Sequence, residues 1–433
     1  MLYSCKTLLP FKFIRNKKYI PTKPLCYCCG LGLLVLTHIE YAHADTDIKN
    51  DLNFAQRSRY AHVDKDIDSG KAASILLRLT LKTEWSEHLG STVEIDSVKS
   101  FFNNDHSDGV VLNGKPIIPD VAGTEINQAF FSFSNDDLNA KLGRQRINFD
   151  DQRFIGGNGF WQNEQTFDAL SAKANLLTNS SVTYAYLYNV NRIFGNKAGK
   201  YLEDSNPNYP KNERPTSLLG DYKLDSHLAR IEWNEWDYSR WVSYLYLINN
   251  KDLPSASNNT LGTSYSFNYK VDALKYRLQI EAAVQRRTEI PDEQTLPYYL
   301  ADMGININAY EISIRYEILS AKNNTTFITP LGSLNDFQGW ANELSPIPTQ
   351  GIKDASLGFL WRAAPFKIDA RYHTFMGYTD GNKLGKEVDV DFVYKPARKH
   401  TISLRFAHFI PESTTQTNGK NTRKIFLDYS YNM

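Results

Sequence analysis

The chain has 433 residues, with 49 Lys and Arg against 48 Asp and Glu, a formal charge of +1 and 13% aromatic residues. That length suits two or three soluble domains or one large architecture, and the balanced charge removes the electrostatic case for a nucleic-acid binder. No run of eighteen apolar residues occurs, which excludes a helical membrane protein.

All four cysteines, Cys5, Cys26, Cys28 and Cys29, lie in the first thirty residues. They share that region with Lys6, Lys12, Arg15, Lys17, Lys18 and Lys23, followed by an apolar stretch from Leu25 to Leu36. The stretch ends in Ala42-His43-Ala44 before Asp45. A basic segment, a short apolar segment and small residues at the cut predict a signal peptide over residues 1–44. A mitochondrial-type or membrane-anchoring segment is the competing reading, and zinc binding by Cys26, Cys28 and Cys29 lacks a completing partner set. Cleavage leaves a mature chain, 45–433, at about −4 and without thiols, so disulfides cannot stabilise the exported protein.

Period-two alternation then dominates, the mark of strands with two unlike faces. Residues 77–85 set Arg78, Thr80, Lys82 and Glu84 against Leu77, Leu79, Leu81 and Trp85. The design returns at 311–318, 366–372 and 401–406. About eighteen strands are expected, near 53–63, 72–86, 91–102, 124–134, 138–149, 167–178, 180–194, 224–236, 239–250, 260–270, 273–287, 297–307, 309–319, 354–364, 366–377, 386–395, 399–410 and 422–432. Short connections such as 135–137, 179, 308 and 396–398 alternate with long ones at 103–123, 150–166, 195–223 and 320–353. Trp85, Trp233, Trp236, Trp241 and Trp361 stand beside the short turns, as interfacial aromatics would. The fold expected over 45–433 is all-β: a transmembrane antiparallel barrel of about 18 strands, with short periplasmic turns and long extracellular loops.

Residues 142–170 read LGRQRINFDDQRFIGGNGFWQNEQTFDAL. This run resembles the alginate-export family of outer-membrane porins, in Gly143, Arg144, Gln145, Asp151, Gln152, Arg153, Phe154, Gly156, Trp161, Gln165, Thr166, Phe167 and Asp168. Arg57, Arg59 and Tyr60, then Ala72 to Leu81, look like that family's opening hairpin. The resemblance implies a barrel set in outer-membrane lipid that passes an anionic polysaccharide or small hydrophilic solutes and needs no cofactor. The alginate exporter's long periplasmic turn has no counterpart here, so its gating does not carry over. The chain also ends in Met433, with Tyr429 and Tyr431 as the aromatics of its last strand. Gly143 marks a bulge or close approach. Strict alternation from an inward Lys141 would put Gln145 inside and Arg144 outside, which is costly in lipid; a bulge or emergence at the rim would resolve this, so the direction of Arg144 stays open. Asp150, Asp151 and Arg153 open a loop that charge pairing would hold in the lumen. The glycines at 156, 157 and 159 have no strand-to-helix context for a phosphate loop and read as loop residues.

The polar half of each strand should line the lumen. It offers Arg78, Lys82, Lys141, Arg230, Lys275, Arg277, Arg315, Lys367, Arg371 and Arg405 on the basic side. The acidic side has Glu84, Glu232, Glu281, Glu311, Glu317, Asp369, Glu387, Asp389, Asp391 and Asp428. The two sets balance, so selectivity rests on arrangement: an arginine stripe for organic anions, or arginine–carboxylate links between strands. No HExxH or GxSxG motif occurs, and His373, His400 and His408 stand as single wall or rim residues. Asp389 and Asp391 share one polar face, where they could hold Ca²⁺ or act as acid and base but read first as charged lumen wall; Asp105 with Asp108 lacks a full Ca²⁺ spacing, so no metal site is assigned. A channel or porin is the leading reading. The alternatives are a loop-plugged structural or adhesin barrel and an outer-membrane barrel enzyme.

Overall fold

The computed structural model describes residues 48–433 except 67, 102–104, 201–212, 235 and 413–419, so the expected leader over 1–44 falls outside the described residues. The strands are β1 (Lys49–Lys65), β2 (Asp68–Glu84), β3 (Leu89–Ser100), β4 (Gly123–Ser134), β5 (Leu138–Gln145), β6 (Thr166–Leu177), β7 (Ser180–Asn191), β8 (Asp221–Trp233) and β9 (Ser239–Ile248). They continue with β10 (Asn258–Val271), β11 (Leu274–Arg287), β12 (Thr295–Ile307), β13 (Tyr310–Leu319), β16 (Ile352–Ala363), β17 (Phe366–Gly377), β18 (Lys383–Ala397), β19 (His400–Pro411) and β20 (Thr422–Asn432). A two-residue hairpin, β14 (Ala321–Lys322) and β15 (Thr325–Thr326), sits inside the connection from β13 to β16. The eighteen long strands form one antiparallel sheet. β1 pairs with β2, Lys49 opposite Glu84, and with β20, Ala55 opposite Asn432, which closes it. Closure leaves no unpaired edge, the condition for a sheet to stand in hydrocarbon.

Alternation decides what each face meets. On β13, Ile312, Ile314 and Tyr316 are 45–59% exposed on the outside, while Ser313, Arg315 and Glu317 turn inward. Such an apolar outer surface is matched by lipid and not by water. Trp85, Trp233, Trp236 and Trp241 ring the short-turn end, each 38–50% exposed. The long connections, 101–122, 146–165, 192–220 and 320–351, all gather at the opposite end, although the β1–β2 connection at that end is only two residues.

Two expectations need correction. β5 stops at Gln145 instead of 149, because at Arg146 the chain leaves the wall and enters the lumen. The inward half of the wall is also not polar throughout. Tyr222, Leu224 and Leu228 on β8, Tyr244 and Tyr246 on β9, and Leu296, Tyr298 and Leu300 on β12 all face inward and are buried. The lumen at that height holds folded loops, and these need an apolar core to pack against.

Gly143 is needed where it stands. Its φ is +124°, and a Cβ there would lie 2.3 Å from the Ala129 carbonyl oxygen on the adjoining strand. Only glycine accepts both conditions.

Candidate functional site: a loop-constricted lumen

Two inward loops, 146–165 and 320–351, join each other in the lumen. Gly156 N–H donates to the Leu331 carbonyl at 2.9 Å, and the Gln165 amide donates to both Leu331 O and Gly156 O, at 2.9 and 2.8 Å. Ser333 Oγ donates to Gln152 Oε1 at 2.9 Å and accepts from Asn158 N–H at 2.8 Å. Such a web of buried, satisfied polar groups fixes one arrangement of the pair.

On the β9–β13 side the loops are held mainly by apolar packing. Phe154 meets Tyr298 edge-on at 5.3 Å and packs on Tyr244 and Phe327 at 5.3 and 6.0 Å. Arg153, buried and stacked 4.6 Å from the Phe337 ring, donates to Gln338 Oε1 at 3.0 Å and pairs with Glu317 at 2.8 Å. Glu317 also accepts from Tyr298 Oη at 2.8 Å and from the Gln338 amide at 2.6 Å. On β8 and β9, Arg230 and Arg240 converge on Asp150, each within 2.8 Å. Arg315 approaches Asp151 at 3.4 Å and Asp302 at 3.6 Å. Burial raises the Asp151 carboxyl above its ordinary range despite the Arg315 charge.

The β1–β4 side is ionic. Arg78 grips Asp96 through Nε and Nη2, at 2.7 and 2.6 Å, and also pairs with Glu164 and Glu94. Arg146 bridges the same Glu164 and Glu94, and Asn127 donates to both carboxylates at 2.8–2.9 Å. Burial alone would raise Glu164, but the Arg146 hydrogen bond and the two guanidinium charges pull it down to about 2. Oxygens of Glu94, Asp96 and Glu164 come within 4.8 Å of one another, and the two guanidinium groups occupy the role a cation would take there. Arg57 holds the loop by Gln162 Oε1 at 2.8 Å and the Gly159 carbonyl at 3.0 Å. Arg59, bidentate on Asp428 at 2.7 and 2.8 Å, stacks 4.4 Å from the Phe160 ring.

The β17–β19 wall is looser. Arg371 lies 3.7 Å from Asp369, Lys367 lies 3.5 Å from Asp369, and Arg405 lies 3.8 Å from Asp391. Arg405 rests between the loop rings of Phe160 and Trp340, at 4.6 and 4.3 Å. The next loop turn is pinned to β18 through Ala341 N–H on Glu387 at 2.6 Å and Trp340 N–H on Asp389 at 3.3 Å. His373 is buried against Asp354 at 2.8 Å.

The expected residues thus separate by role. Arg78, Arg230, Arg277 and Arg315 are tied to carboxylates, Arg277 to Asp302 at 2.9 Å and Glu311 at 3.3 Å. Glu232 pairs with Arg240. Lys82 and Lys141 have no carboxylate within 4.0 Å among the described residues, and Lys141 lies over the Phe130 ring at 5.0 Å. In most of these pairs the cation is the wetter partner: Arg78 is 22% exposed against 2% for Asp96, and Arg277 34% against 9% for Asp302. Within the 142–170 run, Asp151, Gln152, Arg153, Phe154, Gly156, Trp161 and Gln165 belong to the inward loop, with Thr166 and Phe167 buried at its exit. Arg144 and Asp168 stand apart from the lumen, on the outer wall, in a cross-strand pair at 2.7 Å. Sequence reading missed Arg146, Glu164, Phe160 and Phe337, since loop residues carry no periodicity to aim them. It also missed Tyr244 and Tyr246, although the nearly unbroken apolar character around 241–248 marks a strand apolar on both faces.

An eighteen-stranded closed sheet, apolar outside and narrowed inside by its own loops, defines a porin-like outer-membrane β-barrel. Residues 41–187 match the alginate-export family, so the likeness carried by 142–170 extends back to the chain's first strand and forward through most of β7. The fold is similar to that of Acinetobacter baumannii OccAB2 (TM-score 0.67, 12% identity, 89% of this chain and 98% of that one). It is similar also to Pseudomonas aeruginosa OpdK, solved with vanillate (TM-score 0.66, 11% identity, 89% and 98%), and to Pseudomonas aeruginosa OpdL (TM-score 0.65, 10% identity, 89% and 99%). No curated protein matches the sequence.

Proposed function

We propose that the barrel conducts small hydrophilic solutes across the outer membrane and favours organic anions, monomers or short oligomers over a threading polysaccharide. The observation that carries this reading is the orientation of the lumen pairs, in which carboxylates lie against the wall while Arg78, Arg277, Lys367 and Arg371 keep their charge toward water. A solute then meets cations first, and salt-screened contacts of this kind are weak enough to release it. Vanillate, the aromatic carboxylate with which the similar OpdK was solved, agrees with that class. The joined loops support size exclusion, and a catalytic role forms no part of the reading. The test is single-channel recording in planar bilayers under a KCl gradient. A reversal potential on the anion side, with conductance reduced by added benzoate or glucuronate, is expected. Cation selectivity would overturn the anion preference, and absence of any conductance would favour a sealed structural barrel.

The reading includes export through a leader cut after Ala44. N-terminal sequencing of the envelope protein should begin at Asp45, and a product retaining Cys26 would refute it.

A further inference from the structure

At the loop-side ends of β4 to β8 the outer wall stops being apolar. Arg144, Asp168, Tyr188, Asn189, Asn191 and Lys223 line a pocket of about 720 Å³ that opens away from the lumen. Its outward aspect follows from its neighbours: Ile126 and Tyr188, also in the lining, are 50% and 44% exposed on the lipid-facing side, and Leu142 beside Arg144 is 55% exposed. Gln145, the next residue, turns inward and is buried.

The centre is Asp168. Its Oδ1 accepts from Arg144 Nε at 2.7 Å and Asn191 Nδ2 at 3.1 Å, and its Oδ2 from Arg144 Nη2 at 3.3 Å and Asn189 Nδ2 at 3.2 Å. Arg144 Nη1 donates to the Ile126 carbonyl at 3.0 Å. Three of the five guanidinium N–H groups are thereby used, and Arg144 and Asp168 cancel in charge. Charged groups on the lipid side of a barrel are costly at the midplane and cost little near the interface, which is where the strand ends hold this cluster. The outer face of β11 and β12 has Ile280, Val284 and Tyr299, and its loop-side end has the exposed Arg286, paired with the loop residue Glu293.

We infer that this pocket binds a saccharide. Its planar carboxylate, carboxamide and guanidinium groups offer paired donors and acceptors to adjacent hydroxyls, and the exposed Tyr188 ring offers an apolar face to the C–H side of a sugar. The lining sets Arg144 and Lys223 against Glu125, Asp168 and Asp221, so a bare phosphate would find no net positive charge there. The pocket opens where the strands leave the membrane on the long-loop side, level with the headgroups of outer-leaflet glycolipid, so the sugar comes either from such a headgroup or from solution.

The experiment uses the full-length barrel in nanodiscs and two probes, intact lipopolysaccharide and its delipidated core oligosaccharide, with phosphatidylglycerol as a sugar-free anionic control. Binding is read by native mass spectrometry and by competition. The variant is Asn189→Leu with Asn191→Leu, which keeps the Arg144–Asp168 pair and presents lipid-compatible side chains, so insertion and conductance should stay at wild-type values. At least tenfold weaker retention of saccharide by the variant is expected. Displacement of lipopolysaccharide by the core oligosaccharide would assign the site to free sugar as well, and failure to displace it would assign the site to the membrane-anchored headgroup. Equal retention by wild type and variant, or equal displacement by phosphatidylglycerol, would overturn the inference. Because the pocket lies outside the lumen, these results are independent of ion selectivity.

Discussion

The two inward loops are fastened to opposite sides of the barrel by different physics. Against β9–β13 they bury Phe154, Ile155, Phe327 and Leu331 on inward-facing tyrosines and leucines. Against β1–β4 the 146–165 loop is held by Arg57 on the Gly159 carbonyl, by Arg78 on Glu164 and Arg146 on Glu94, and by Phe160 stacked on Arg59. The apolar side is dry and its strength scales with area removed from water. The ionic side borders the wetter part of the lumen, where the guanidinium groups of Arg78 and Arg146 keep 22–25% exposure. A channel constricted in this way keeps a rigid stop on one side and a hydrated, charged surface on the other.

The largest effect is expected from the dry side. Phe154→Ala removes the ring at the centre of the loop packing, and a buried Phe→Ala change costs about 3–5 kcal/mol where the site cannot collapse. Denaturant unfolding in detergent should show that loss, and single-channel records should show larger, noisier conductance as the loops loosen. Unchanged conductance alongside the lost stability would mean that this side does not set the aperture.

A smaller loss, about 1–3 kcal/mol at neutral pH, is expected from Glu164→Gln, which leaves Arg78 and Arg146 short of one charged acceptor. The pH dependence has a definite sign. A carboxylate held at about 2 when folded, against an ordinary 4.5, contributes its stabilisation fully above 4.5 and loses it as pH falls through about 2. Wild type and variant should therefore converge in stability between pH 4.5 and 2. Should the gap at pH 2 equal that at pH 7, the carboxylate is not the anchor proposed for the ionic side.

The ionic side was more legible in the sequence than the dry one. Arg78 and Asp428 sit on strictly alternating strands, so their inward aim follows from period two. The strand count and the segregation of long connections follow from the same pattern. Tyr244, Tyr298 and Leu228 defeat it, because an inward position reads as polar only while the lumen is wet, and whether a loop folds back to dry it depends on contacts distant in sequence. Arg153 and Glu317 are 164 residues apart, a separation that no local pattern records. Arg144 lay between. Strict alternation would put it outside, but a bulge at Gly143 or a place at the rim leaves its direction undecided. The structure has it outside, beside the positive-φ Gly143 and one residue from the end of β5, with Asp168 as its partner.

The smallest effect on stability, and the most informative for transport, concerns Arg371. Its side chain is 37% exposed and its nearest carboxylate, Asp369, is 3.7 Å away. A pair this loose and wet contributes at most about 1 kcal/mol. Arg371→Gln should accordingly fold and insert as wild type does, while its anion-to-cation permeability ratio falls. The charge acts on local ion concentration over a Debye length, about 10 Å at 0.1 M and about 3 Å at 1 M salt, so the change should be clear in dilute KCl and small in concentrated KCl. Arg230→Gln supplies the contrast, since Arg230 is only 7% exposed and is bound to Asp150 at 2.7 Å. It should lower stability more and selectivity less. If the two substitutions shift the permeability ratio equally at low salt, selectivity follows the net charge of the lumen, and the division into wet conducting cations and dry anchoring ones does not hold.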